Sequence, residues 1–262
     1  MTQEEFITEL FCRVDEAMTD VPKDLRAKLW PGELVTLGIL LVLRGQSQRR
    51  FYHWLWCNFG PLFPNLPERS RLFRLLRRYQ GWAERFLAHP SLVNFSDSLG
   101  IELLHPRREG RTKNQVGKKG KSNGRWIVGV KFCPLLNGAG RVVDWDAETA
   151  NVYDGDFQCM LKDHAQAGKM TDKAFHRSAR RGGDCANLLV CQRGQCNVRM
   201  TIETVFSNWV RVWAMKKVGE RQWPGIEARL AFACAAWNLV TDWATQLFGG
   251  DQASLSTAWV PI

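Results

Sequence analysis

Three carboxylates carry the chemistry this sequence can do. Glu203 stands in the stretch NVRMTIETVFS, residues 197–207, among apolar residues at helical spacing. Arg199 lies four residues earlier, on the same face of such a helix. A charge inside an apolar run is costly unless it is paired or holds a metal, so the sequence predicts a carboxylate buried in the helix and given a job. Two aspartates have matching settings: Asp97 in VNFSDSLGIELL and Asp172 in KMTDKAFH. Two carboxylates beside strands and one on a late helix can build a two-metal site for phosphodiester chemistry. Each has a plainer alternative. Asp97 could cap a turn at Ser96-Asp97-Ser98, Asp172 could cap whatever follows it, and Glu203 could be half of an ion pair with Arg199.

Other groups compete for the role. Asp144 and Asp146 alternate along a strand and share one of its faces, and Asp154 and Asp156 lie just beyond; the pattern VVDWD equally describes the solvent side of a sheet. His176, Cys185, Cys191 and Cys196 could bind zinc, but their spacing is irregular.

The elements that must position these groups change character near His89-Pro90. Residues 1–90 read as helical. Phe6, Leu10, Phe11 and Val14 share a face over 4–18. Pro31 opens a second helix that runs to Leu43 and is ended by Gly45. Ser47 caps a third with Phe51, Trp54 and Leu55. A fourth spans 68–87, with Leu72, Leu75 and Leu76 opposite Arg71, Arg74 and Arg78, which could contact phosphates or form a solvated face. Residues 34–59 also read as a helix-turn-helix. Beyond the boundary, 92–104 is strand-like and 107–121 is a basic loop. Residues 126–136 and 141–152 are strands joined by the turn Asn137-Gly138-Ala139-Gly140. A short helix is expected over 154–165, a strand over 186–191, and helices over 198–216 and 225–248. The stretch before Asp172 is only weakly apolar. The domains expected are 1–90, a helical unit whose helix-turn-helix pattern allows DNA binding; 91–248, a unit whose three carboxylates allow catalysis; and 249–262, a loose tail. The fold class is α/β: a mixed sheet flanked by helices, preceded by an all-α domain. Hairpin strands followed by strand–helix alternation suit an RNase H-like domain, but periodicity alone gives only α/β.

Composition narrows the partners. The chain has 262 residues, a formal net charge of +10 and 45% hydrophobic residues. It can bury a core, and its charge favours a polyanion, most often nucleic acid. Arg107, Arg108, Arg111, Lys113, Lys118, Lys119, Lys121 and Arg125 form a phosphate-contacting track next to Asp97, and Asn123 and Trp126 could touch terminal bases. Eight scattered cysteines without a CxxC pair argue against a disulfide framework and for a reducing cytoplasm. The longest apolar run, residues 34–43, is too short to cross a bilayer.

In combination, GIELLHPRREGR, GKKGKSNGRWIVGVKFCPLLN, WDAETANVYDGDF and CQRGQCNVRMTIETVFS resemble bacterial insertion-sequence transposases of the DDE type. LPERSRLFRLLRR and ARLAFACAAWNL resemble that family's flanking helices, so the resemblance covers roughly residues 34–240. It implies an RNase H-like core with Asp97, Asp172 and Glu203 as the catalytic, metal-holding triad, and Arg199 as the arginine of an RxxxE signature. Cys196 stands where the family's signature tyrosine is expected, and Val210 where its lysine is expected, with Arg211 adjacent. The resemblance further implies two Mg²⁺ ions, with Mn²⁺ able to substitute. The partner implied is double-stranded DNA, as transposon ends and target, bound by a homodimer that cuts the ends and joins them to target DNA in the bacterial nucleoid. The alternatives are a domesticated, catalytically impaired DNA-binding descendant and a nuclease that cuts without joining.

Overall fold

The computed structural model describes residues 1–111, 113–122, 124–164, 166–190, 198–249, 257 and 259–262, without the side chains of 190, 198 and 199. Four helices come first: α1 (Gln3–Ala17), α2 (Pro31–Leu43), α3 (Gln48–Phe59) and α4 (Arg69–Arg78). Local signals set their ends. Thr2 and Glu5 close a capping box on α1, Pro31 occupies the first turn of α2, and the Ser47 hydroxyl accepts from Arg50 N at 3.5 Å. The fourth helix is shorter than its pattern suggested. It stops at Arg78, and residues 80–86 form a 3-10 turn whose Phe86 carbonyl accepts from Asn238 Nδ2 at 2.8 Å.

Seven strands among the described residues make one mixed sheet. They are β1 (Val93–Ser96), β2 (Leu99–Leu104), β3 (Lys118–Ser122), β4 (Arg125–Leu136), β5 (Val142–Thr149), β6 (Gly168–Thr171) and β7 (Leu188–Val190). Strand β4 is the spine. Along one edge it pairs antiparallel with β3 and then β5, and along the other with β2 and β1. Beyond β1 the sheet turns parallel, through β6 to β7. The sheet is thus antiparallel in its first half and parallel in its second.

β1 and β2 are two halves of one strand. Phe95 lies opposite Leu136 and Ser96 opposite Leu135, and Leu99 opposite Phe132 continues the same register. The ladder is interrupted at Asp97 and Ser98. The residue of β4 facing Asp97 in that register is Pro134, which has no N–H to donate. A proline in the partner strand therefore explains why the backbone of Asp97 stands outside the ladder.

Three further helices complete the fold: α5 (Gln158–Asp163), α6 (Val198–Arg211) and α7 (Trp223–Phe248). The stretch 107–121, expected as loop, contains part of a 3-10 turn at Pro106–Arg108 and all but the last residue of β3. Helix α6 ends sooner than its apolar pattern because Ala214 takes a left-handed φ of 53°. That turn lays residues 216–218 against β2, where Glu102 N donates to Lys216 O at 2.9 Å and Val218 N to Glu102 O at 3.2 Å.

The larger core runs without a break from Phe6 through Leu103, Phe132 and Trp209 to Trp243, and so passes through the expected boundary at residue 90. Helix α2 is buried on nearly every side and packs against α7. Asn238 on α7 also clamps the β4–β5 hairpin, accepting from Val142 N at 2.7 Å, while Trp237 Nε1 donates to Gly140 O at 2.7 Å. A smaller core, with Cys133, Leu135, Phe157 and Phe175, fills the opposite face of the sheet. In the segment expected to be loose, Trp259 stacks edge-on against Trp243 at 4.9 Å and Gln3 Nε2 donates to Pro261 O at 2.8 Å. Among the described residues no helix is long and apolar enough to cross a membrane.

Candidate metal and nucleic-acid site

The weakly apolar stretch before Asp172 does form a strand, β6, and it lies beside β1. Val93 pairs with Gly168, Asn94 with Lys169 and Phe95 with Met170, in parallel. Carried two residues further, this register sets Asp97 beside Asp172, each the first residue beyond its strand. Neighbouring strands run about 4.8 Å apart. Phe95 and Met170 both meet the larger core, and the pleat returns to that face at Asp97 and Asp172. Two carboxylates thus leave the carboxyl ends of adjacent parallel strands on one side of the sheet.

The helix carrying Glu203 covers that side. α6 packs against β1, and the Trp209 ring lies 5.3 Å from that of Phe132. Ile202, Val205 and Trp209 are buried, but Glu203 is exposed. The expectation of a buried Glu203 is therefore corrected. Its position is at the margin of the apolar stripe, one turn before Phe206 and two before Val210. Arg199 lies one turn earlier on α6, and its side chain is outside the described residues.

Asp97 is half-buried and its Oδ1 accepts from Ser98 N at 2.7 Å. Asp172 is exposed; its Oδ1 accepts from Lys173 N at 2.5 Å and caps a 3-10 turn. The capping alternative for Asp172 is thus present in the structure. The thiol of Cys133 reports the charge around this end of the sheet. Burial pushes it well above the ordinary cysteine range; the Ser96 hydroxyl opposes the shift, and Asp97, Asp154 and Asp146 add to it. Among the described residues, no group of three or more His, Cys, Asp or Glu side chains is gathered closely enough to hold a metal ion.

The competing acids are engaged in pairs. Asp144 Oδ2 lies 2.9 Å from His164 Nε2, Asp154 Oδ1 2.8 Å from Lys131 Nζ, and Asp156 Oδ1 2.9 Å from Arg177 Nη2. Asp146 Oδ1 accepts from Ala147 N at 2.7 Å. Asp146 and Asp144 lie opposite Cys133 and Leu135, on the smaller-core face of the sheet, away from α6. Of the zinc alternative, His176 Nδ1 is taken by Asp184 Oδ2 at 2.7 Å and Cys185 Sγ donates to Gln158 Oε1 at 3.4 Å, while Cys191 and Cys196 lie outside the described residues.

The basic track is built partly on a hairpin that the sequence did not announce. Lys118, Lys119 and Lys121 sit on β3, which turns through Gly124 into Arg125 and Trp126 on β4. All five side chains are exposed, and Lys119 Nζ stands 5.4 Å over the Trp126 ring. β3 lies flush against its neighbour: a Cβ on Gly120 would run into the Ala150 carbonyl. Arg107, Arg108, Arg111, Lys113 and Arg211 are exposed as well, and Asn123 lies outside the described residues. Two cations join the surface that sequence reading missed. Lys217 Nζ pairs with Glu102 Oε1 at 3.1 Å. The amine of Lys216 is held below the ordinary lysine range by burial and by the nearby charge of Arg125, with Glu102 opposing. The only signal for them was the doublet KK after an apolar helix.

A second basic surface follows the helix-turn-helix reading. With α2 buried, α3 shows Arg49, Arg50, His53 and Trp56 in a groove completed by Arg69.

No family model matches the sequence, and no curated protein matches it. One solved structure that resembles it is a piggyBac transposase synaptic complex with hairpin DNA. The likeness has a TM-score of 0.43 and 10% sequence identity, over 96% of this chain and 75% of that one. A likeness of that size carries nothing over to this chain.

Proposed function

We propose that this chain is a DNA transposase that cuts phosphodiester bonds at element ends and joins them to target DNA. The carrying observation is the shared register of Asp97 and Asp172 at the ends of β1 and β6, under the helix that bears Glu203. An antiparallel half joined to a parallel half through β1 supports an RNase H-like reading of the sheet.

Asp97 and Asp172 would hold divalent metal, since adjacent carboxylates offer the oxygen donors that Mg²⁺ and Mn²⁺ prefer; Glu203 would complete the set from α6. When bound, such a pair of ions supplies an activated nucleophile and charge compensation at the leaving oxygen. The protein's own share is placement. The β3–β4 hairpin, Arg107, Arg108, Arg111, Lys113, Arg211 and Lys217 would grip phosphates without reading sequence. α6, anchored by Trp209, fixes the distance of Glu203 from the sheet.

Incubating the chain with duplex DNA bearing the ends of its own element and Mg²⁺ tests the proposal: nicked and joined products are expected. Cleavage retained in Glu203→Gln would remove that residue from the mechanism. A second reading, an impaired DNA-binding descendant, is favoured by the exposed Glu203 and by the absence of a gathered three-carboxylate group among the described residues; it requires DNA binding without any product.

A further inference from the structure

A cavity of about 350 Å³ opens between the start of α2, the end of α4 and the preceding loop. Its lining has two parts. Trp30, Tyr79 and Trp82 supply aromatic faces, with Tyr79 and Trp82 stacked at 4.4 Å and 14°. Lys28, Arg71 and Arg78 supply positive charge, and Arg78 lies 5.4 Å over the Tyr79 ring. Arg26 adds a further cation. One acid, Asp24, also lines the cavity, and its Oδ1 accepts from Arg26 N at 2.7 Å.

Trp30 is 55% exposed. Lys23 Nζ lies 4.6 Å over the ring, and the rest of its surface is left for a ligand to cover. Arg71 is exposed too and makes no ion pair among the described residues. Flat rings beside unneutralised guanidinium groups match a ligand that is a planar ring joined to an anion. A nucleotide unit is such a ligand: its base stacks on an aromatic side chain and its phosphate takes arginine. The volume is at the small end of ligand pockets and suits one such unit.

We infer that this cavity binds a single nucleotide unit, base stacked and phosphate held by Arg71 and Arg78, separately from the carboxylates at the sheet. The unit can come from unpaired DNA or from a free nucleotide. Neither source requires cleavage, so the inference does not stand or fall with the transposase reading.

The test uses the full chain in EDTA. Fluorescein-labelled dT15, the same oligonucleotide annealed to dA15, and free dTMP as competitor are read by anisotropy. Trp30→Ala and, separately, Arg71→Ala with Arg78→Ala are compared with the parent, after circular dichroism shows each folded. Both variants are expected to bind dT15 about tenfold more weakly, within the range for losing one stacked base, and to bind duplex within twofold. Quenching of intrinsic tryptophan fluorescence by dTMP in the parent and not in Trp30→Ala, with no dT15 binding, assigns the pocket to free nucleotide. Equal dT15 affinity in parent and both variants, or no binding of dT15 or dTMP, overturns the inference. An Asp97→Asn chain should bind dT15 like the parent, which separates this site from the proposed catalytic one.

Discussion

Asp97 and Asp172 each lie two residues after the paired Phe95 and Met170 of adjacent parallel strands, one residue beyond the end of each. They belong to segments seventy-five residues apart in the chain, and only the pairing of β1 with β6 brings them together. Asp97→Asn and Asp172→Asn should therefore each lower Mg²⁺-dependent cleavage at least about 100-fold, because a two-metal site is deprived of a shared ligand, while duplex affinity stays within twofold. Cleavage assays beside gel shifts would show it; an active Asp97→Asn protein would defeat the proposal.

Glu203 allows a sharper separation of function from stability. It is exposed on α6, so Glu203→Gln should shift unfolding free energy by no more than about 0.5 kcal/mol yet abolish cleavage. Urea melts and product gels on the same preparation decide. A large drop in stability would mark a structural ion pair instead.

The hairpin lysines should act through phosphates. Neutralising Lys118, Lys119 and Lys121 together should reduce the slope of log affinity against log salt by up to about 2.7, at roughly 0.9 for each phosphate no longer neutralised. The effect should be alike on unrelated duplexes. An unchanged slope would take the hairpin out of the interface.

Lys169 offers a pH-dependent test. It is fully buried on β6, its ammonium donating to the His164 carbonyl, and burial holds its pKa below the ordinary lysine range. Between the folded and the unfolded pKa the unfolded chain keeps a proton that the folded chain has shed. Stability therefore rises with pH across that interval, up to the unfolded lysine value near 10.4. Lys169→Met should flatten this rise and stabilise the protein most at the lower end. Thermal melts of both proteins from about pH 7 to 10 would show the difference; parallel curves would refute it.

A buried ion pair ties the start of α7 to the turn before α3. Arg229 Nε donates to Glu220 Oε1 at 2.9 Å with both side chains at most 5% exposed, and Arg229 Nη2 reaches Gln46 O at 3.1 Å. Glu220→Ala leaves that guanidinium buried and unpaired and should cost about 3–5 kcal/mol. Replacing both residues with apolar ones should recover much of the stability. Chemical denaturation of the single and double variants reads both outcomes.

What the sequence disclosed depends on how local each cause is. Pro31 and the even apolar run after it define α2 at both ends, and Ser47 starts α3, because caps and prolines act within a turn. The β4–β5 hairpin was equally legible, its turn chemistry lying in four consecutive residues. β3 was not, since KKGKS has no apolar periodicity and becomes a strand only through its pairing with β4. β6 was faint for a related reason: four residues flanked by partners on both sides need little pattern of their own. The break in the ladder at Asp97 traces to Pro134, thirty-seven positions away, which no local window contains. Glu203 misled because its neighbours Ile202, Val205 and Phe206 are apolar, yet helical geometry turns it toward the margin.

The close seating of Gly120 on Ala150 reaches beyond packing. A prong seated flush on the sheet sets the backbone spacing of its lysines. A bound strand would meet that spacing, and the ordering entropy given up on binding would fall on the lysine side chains and not on the backbone. Widening that seam with a single methyl at Gly120 would disturb that spacing.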